Sequence, residues 1–195
     1  DYGTVTIIRP LTIIGAGALP NKNYALQTLI TRINYTFSGN NLTSGSGSCL
    51  IGCNITDRIT LGANTLSTIG ISNILIARNK VNTIGFLNYD VIYNNIKIEN
   101  NVIRNLQSAF SFTGNVKLNN SVIKNNIFER VTYIGINGSG SWIYSNNIVL
   151  ENFNNNSAAI ISNNIFYLTA SDISNISYCT FNNNIFFSCH KIECC

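Results

Sequence analysis

The chain has 195 residues, of which 45% are apolar and only 10% charged, with a formal net charge of +4. No apolar run approaches the ~20 residues of a membrane-spanning helix, and the twelve scattered Lys and Arg form no block that could follow a phosphate backbone. Neither a membrane span nor a nucleic-acid partner is expected, and neutral polar residues, chiefly Asn, must solvate the surface.

In chain order, the first patterned segment is Ser44-Gly45-Ser46-Gly47-Ser48. It lacks the lysine of a phosphate loop and reads as a turn. Further on a phrase recurs: Ala77-Arg78-Asn79-Lys80-Val81, Ile98-Glu99-Asn100-Asn101-Val102, Ile123-Lys124-Asn125-Asn126-Ile127, Tyr144-Ser145-Asn146-Asn147-Ile148, Ile161-Ser162-Asn163-Asn164-Ile165 and Phe181-Asn182-Asn183-Asn184-Ile185. Indexed on Asn79, Asn100, Asn125, Asn146, Asn163 and Asn183, the copies are 21, 25, 21, 17 and 20 residues apart, the variable step of a solenoid. Cys49-Leu50-Ile51-Gly52-Cys53-Asn54-Ile55 fits the same register, with Cys53 at the index position and Cys49 and Ile51 inside.

Alternation around the index residue reads as strand, because successive side chains point to opposite faces. Two residues before it stand Ala77, Ile98, Ile123, Tyr144, Ile161 and Phe181; two after it stand Val81, Val102, Ile127, Ile148, Ile165 and Ile185; four before it stand Leu75, Ile96, Ser121, Trp142, Ala159 and Cys179. All three columns are expected inside. Asn suits the corner between strands because it tolerates the left-handed region, and its amide can bond to the copies above and below. The expected fold is all-β: a single-stranded right-handed parallel β-helix with coils of roughly 17–26 residues and an Asn ladder built from the six index residues.

Two further columns are apolar where outward residues are expected. Ile76, Val122, Ile143 and Ile160 lie three before the index, and Ile103, Phe128, Val149, Phe166 and Phe186 three after it. Facing out, they would form stripes of the kind that mark an interface. A corner that turns the later column inward would make that column core instead.

Catalytic chemistry finds little support. Paired carboxylates for glycoside hydrolysis sit ~5–9.5 Å apart, whereas here only Asp57 and Glu129 share a register, three coils or ~14 Å apart at strand spacing. Asp1, Asp90, Glu99, Glu151, Asp172 and Glu193 are dispersed. Arg78, Glu99 and Lys124 take one outward position on successive coils, which suits cross-strand charge pairing. Cys189, His190, Cys194 and Cys195 could supply soft metal ligands, but no second ligand pair accompanies them, and disulfide pairing or a last coil is the plainer reading. No catalytic residue, metal or cofactor is assigned.

The opening, Gly3-Thr4-Val5-Thr6-Ile7-Ile8-Arg9-Pro10-Leu11-Thr12-Ile13-Ile14-Gly15-Ala16-Gly17, resembles the first coils of right-handed β-helix proteins of the pectate-lyase-like superfamily. With the Asn-Asn-Ile repeats it looks like the β-helix repeat proteins of bacterial surfaces. That resemblance implies one parallel β-helix over residues 1–195, read as a fragment or processed piece of a longer chain, and an extracellular or cell-surface location. Fold alone does not choose a function. The residues favour a noncatalytic scaffold that is self-associating, adhesive or glycan-contacting, with its own copies, other surface proteins or polysaccharide as partners. The alternative is part of a polysaccharide lyase or hydrolase whose catalytic residues lie outside this chain.

Overall fold

The computed structural model describes residues 1–18, 28–39, 42–63, 69–87, 91–108, 116–150, 152–167 and 179–187. Apolar runs separated by Asn or Gly form strands, and every ladder between these strands is parallel. Each strand therefore meets its equivalent one coil later, the arrangement of a β-solenoid.

Stack A begins with Thr12–Ile14, Cys49–Ile51, Ile74–Ala77, Ile96–Glu99 and Ser121–Lys124. It continues through the ends of Val131–Ser145 and Asn152–Ser162 to Thr180–Asn182. Stack B follows it around the corner: Thr28–Tyr35, Cys53–Leu61, Lys80–Phe86, Val102–Ser108, Ile127–Phe128, Ile148–Val149, Ile165–Tyr167 and Ile185–Phe187. Thr4–Ile7 pairs with the second half of Thr28–Tyr35. A shorter stack C pairs Val91–Asn94 with Val116–Asn119.

The corner between A and B uses two residues with different tasks. The first takes a left-handed backbone: Gly52, Arg78, Asn100, Asn125, Asn146, Asn163 and Asn183 all have φ between 52° and 71°. The second points inward and forms the ladder: Cys53, Asn79, Asn101, Asn126, Asn147, Asn164 and Asn184. From Asn79 to Asn164 these amides are buried. From Asn101 onward each Oδ1 accepts from the backbone N–H and the Nδ2 of the rung before, as Asn126 does from Asn101 at 3.0 and 3.0 Å, while Asn79 accepts from the backbone N–H of Cys53 at 2.8 Å. Each Nδ2 also donates to a backbone carbonyl of the preceding coil, as Asn147 does to Ile123 at 3.0 Å. Successive rungs are 26, 22, 25, 21, 17 and 20 residues apart.

This geometry corrects the sequence-based ladder at Asn100, Asn125, Asn146, Asn163 and Asn183, which sit one residue early with exposed side chains. Of the six index residues only Asn79 is a rung, because Arg78 holds the left-handed position in that coil. The physical cause is a slip of phase: the left-handed residue faces out, and alternation resumes only after the rung.

From the Asn100 coil onward, columns before the corner keep their expected side and those after it exchange sides, whereas in the Cys53 and Asn79 coils, where the index residue is itself the rung, it is the columns before the corner that exchange. Ile98, Ile123, Tyr144 and Ile161 are buried with Leu50 and Ile76 in one column. After the corner, Ile55, Val81, Ile103, Phe128, Val149 and Phe166 form the inner column, with Phe186 half-buried at its end. Val102, Ile127, Ile148, Ile165 and Ile185, expected inside, face out. Cys49, Ile51 and Leu75 are only half-buried, since Leu50 and Ile74 take the inward places of their coils. The Phe166 and Phe186 rings stack 5.1 Å apart, as identical residues one coil apart are placed to do.

A second corner, before stack A, repeats the device with different residues. Gly47, Asn73, Asn95 and Asn120 are left-handed there, and Ser48 and Ser121 hydroxyls accept the Leu11 and Ile96 amides of the preceding coils.

Replacing Asn147 with Leu deletes its rung bonds and leaves buried donors unpaired, so a loss of ~2–4 kcal/mol is expected in urea unfolding. Asn146→Gly, in the same turn, is expected to cost less than ~1 kcal/mol, because Gly also accepts positive φ. Among the described residues Arg78 alone holds the left-handed position with a side chain other than Gly or Asn, so Arg78→Asn is expected to raise stability by about 0.5–1 kcal/mol, read from the same unfolding curves.

Candidate binding face

The outer side of stack B is assembled from the residues that the phase slip turns outward. In register order its first column runs Leu29, Asn54, Lys80, Val102, Ile127, Ile148, Ile165 and Ile185. Two residues further along the same coils stand Thr56, Asn82, Arg104, Glu129, Leu150, Tyr167 and Phe187. Every second side chain of a strand shares a face, so these two columns lie side by side. The face changes character along the solenoid: polar and charged in its early coils, apolar in its last three.

The polar half contains a cleft of about 360 Å³ lined by Asn54, Ile55, Thr56, Lys80, Val81, Asn82, Val102, Arg104 and Glu129. Beside it the register shifts between Ile55 and Arg58 by one extra residue, a bulge that re-aims the side chains around it. Asp57 there accepts from Arg32 Nε at 2.9 Å and Arg58 Nε at 3.2 Å. Partial burial alone would raise the Asp57 pKa; hydrogen bonds from Arg32 and Arg58, with their charges, outweigh it and hold the carboxyl below its ordinary value. Lys80, Arg104 and Glu129 form no ion pair with any described residue, so the cleft offers two cations, one anion, two amides and a hydroxyl to whatever enters it.

The structure separates the sequence-derived interface residues. Ile76, Ile103, Phe128, Val149 and Phe166 are buried and Phe186 half-buried, so they belong to the core and cannot form an external stripe. Val122 is half-buried, while Ile143 and Ile160 are exposed on the outside of stack A. Apart from Leu29 in the first coil, the exposed apolar surface of stack B is instead Ile127, Ile165, Tyr167, Ile185 and Phe187, with Ile148 and Leu150 half-buried among them. The one signal that could have found it is Gly52 before Cys53: a glycine at the left-handed place identifies the following residue as the rung and fixes the phase of every later copy.

Other candidates also find their places. Glu99 pairs with Lys124 at 3.2 Å across adjacent coils, whereas Arg78 is moved to the corner and Ala77 takes the matching position. Cys53 and the half-buried Cys49 are free thiols, and Cys179 is half-buried; burial pushes the Cys53 thiol up, against the lowering effect of a backbone hydrogen bond from Gly15. Burial first, then the neighbouring Cys49 and Cys53, drives the Tyr35 hydroxyl above its ordinary range. Cys189, His190, Cys194, Cys195, Asp90, Glu151, Asp172 and Glu193 lie outside the described residues. Among the described residues no three metal-capable side chains cluster, and no helix is long and apolar enough to cross a membrane.

Compared with family models, curated proteins and solved structures, the chain matches none.

Because the folded Asp57 pKa is depressed, its stabilising contribution is present above the unfolded value near ~3.9 and is lost as pH falls through the folded value. Asp57→Asn is therefore expected to lower stability at pH 7. Urea unfolding at pH 7 and at pH 2–3 checks this, the gap between variant and parent narrowing in acid.

Proposed function

We propose that this chain is a noncatalytic scaffold of the bacterial cell surface or its surroundings, related to the pectate-lyase-like β-helices, that uses the outer face of stack B for contact. The reading rests on how the described carboxylates are employed. Asp57 is engaged by two arginines and Glu99 by Lys124. Asp1 accepts from the Thr31 hydroxyl and the Gly3 amide. Only Glu129 lines the cleft. One carboxylate cannot both protonate a leaving group and activate the attacking group on the opposite side of a sugar ring.

What the cleft offers is recognition. Amides and a hydroxyl of Asn54, Asn82 and Thr56 match sugar hydroxyls, and Lys80, Arg104 and Glu129 add charged donors and acceptors along a rigid sheet. A glycan strand laid along the solenoid would meet the same donor spacing from coil to coil, about 4.8 Å.

The test has two readings. Incubated with neutral and acidic polysaccharides, the chain is expected to release neither reducing ends nor unsaturated products, while remaining bound to at least one of them in a sedimentation assay. Lys80→Ala with Arg104→Ala is expected to weaken that retention about tenfold, or ~1.4 kcal/mol. Product formation that disappears in Glu129→Gln would overturn the scaffold reading, as would retention unchanged by the double substitution.

A further inference from the structure

We propose that two copies of this chain pair through the apolar end of the stack B face, Ile148, Leu150, Ile165, Tyr167, Ile185 and Phe187. The inference rests on the scaffold reading and names one of the scaffold's partners. Four of these side chains are large apolar groups left substantially in water: Ile165 at 37%, Tyr167 at 47%, Ile185 at 51% and Phe187 at 49% exposure. Tyr167 and Phe187 lie on adjacent coils with ring centroids 6.2 Å apart and planes tilted by 44°, so the two rings adjoin on one face.

Charge selects the partner. Arg130 is the last cation before Lys191, and between them the chain holds only Glu151 and Asp172, so residues 131–187 carry two of the chain's twenty charged groups. A highly charged partner finds almost no opposite charge there. An apolar, near-neutral surface does fit, and this molecule carries one in the patch itself.

Spacing makes the same selection. The rows Ile148, Ile165 and Ile185, and Leu150, Tyr167 and Phe187, repeat once per coil, at ~4.8 Å. Only a surface of the same pitch meets successive rows without drifting out of step. A second copy has that pitch by construction, and a two-fold arrangement sets Ile185 and Phe187 of one copy against Ile148 and Leu150 of the other, with Ile165 and Tyr167 near the axis.

Area sets the strength. At ~150–250 Å² for a large side chain, these half-exposed residues with Ile127 present roughly 500 Å². That is over half of the ~800 Å² per partner of a standard interface, and the exposed amides of Asn146, Asn163 and Asn183 at the adjoining corner supply a polar rim. Pairing is expected in the range of about 1–100 μM rather than in the nanomolar range.

The experiment is sedimentation velocity of the full chain from ~1 to ~200 μM, beside Tyr167→Lys with Phe187→Lys, and Lys80→Glu as a control on the polar half. The parent is expected to pass from monomer to dimer, the lysine pair to remain monomeric at every concentration, and the control to dimerise like the parent. Urea unfolding of the lysine pair at monomeric concentration, coincident with the parent's, shows that the fold is intact; if it does not coincide, Tyr167→Ser alone is used and a dissociation constant raised at least threefold is required. A parent that stays monomeric, or a dimer indifferent to both substitutions, overturns the proposal. So does a monomeric parent that binds neutral phosphatidylcholine vesicles through these residues, which would make the partner a lipid surface. None of these outcomes alters polysaccharide retention, so failure here is distinguishable from failure of the scaffold reading.

Discussion

A parallel coil must turn corners inside its own hydrogen-bonding lattice, and every backbone amide left unpaired at a buried corner costs ~1–3 kcal/mol. In this chain the inward Asn of each coil from Asn79 to Asn184 meets that demand at the corner between stacks A and B. Its Oδ1 takes up the backbone N–H of the rung before, and its Nδ2 takes up a carbonyl of the preceding coil, so one side chain closes two backbone groups while bonding to its own kind. The rest of the structure follows from this arrangement. It fixes the register, because moving a coil by one residue would carry the rung and both inner columns out of place together. It also tolerates coils of 17 to 26 residues, because the variation is absorbed away from the rung.

Much of this was legible in the sequence, and what was not has a single cause. The period and the parallel coils come from recurrence and alternation, which survive any error in choosing the reference residue, and the inward columns of stack A were read correctly from Ile96 and Ile98 onward but not at Cys49, Ile51 and Leu75. The identity of the rung does not. In Asn100-Asn101, Asn125-Asn126, Asn146-Asn147 and Asn163-Asn164 both residues suit both tasks, and composition cannot say which is left-handed. The copy at Arg78-Asn79-Lys80 breaks the tie in a misleading way, since Arg is an unusual left-handed residue, and treating Asn79 as equivalent to Asn100 moved every later copy by one. Gly52-Cys53 contains the correct phase, but cysteine in place of asparagine conceals the equivalence. One residue of phase is enough to exchange Ile165 with Phe166 and Ile185 with Phe186, and thus to exchange surface with core.

The same slip determines which positions remain available for recognition. Inner columns are constrained by packing and the rung by hydrogen bonds; outward positions of stack B are constrained by neither. They carry Asn54, Lys80 and Arg104 in early coils and Ile165, Tyr167 and Phe187 in late ones. The cleft and the apolar platform are two ends of one surface, held rigid by the same ladder. A ligand bound at the first would therefore lie in fixed relation to a second copy paired at the other.

Strand propensity offers a competing reason for the apolar end, since β-branched and aromatic residues are favoured in strands whichever way they point. Stack A supplies the comparison. In the same late coils its outward columns hold Ile143, Ile160 and Thr180 in one row but Ser145, Ser162 and Asn182 in the other, so the strand geometry is met there with one wholly polar row. Thr would meet the propensity on stack B as well, without leaving large apolar groups in water. Propensity thus explains why these positions are strand but not why three consecutive coils place Leu150, Tyr167 and Phe187 beside Ile148, Ile165 and Ile185. Six apolar residues in two adjoining columns, in the part of the chain that carries almost no charge, have the composition of an interface core. Neither the ladder nor the inner columns use these side chains, and the proposed contact with a second copy would withdraw them from water.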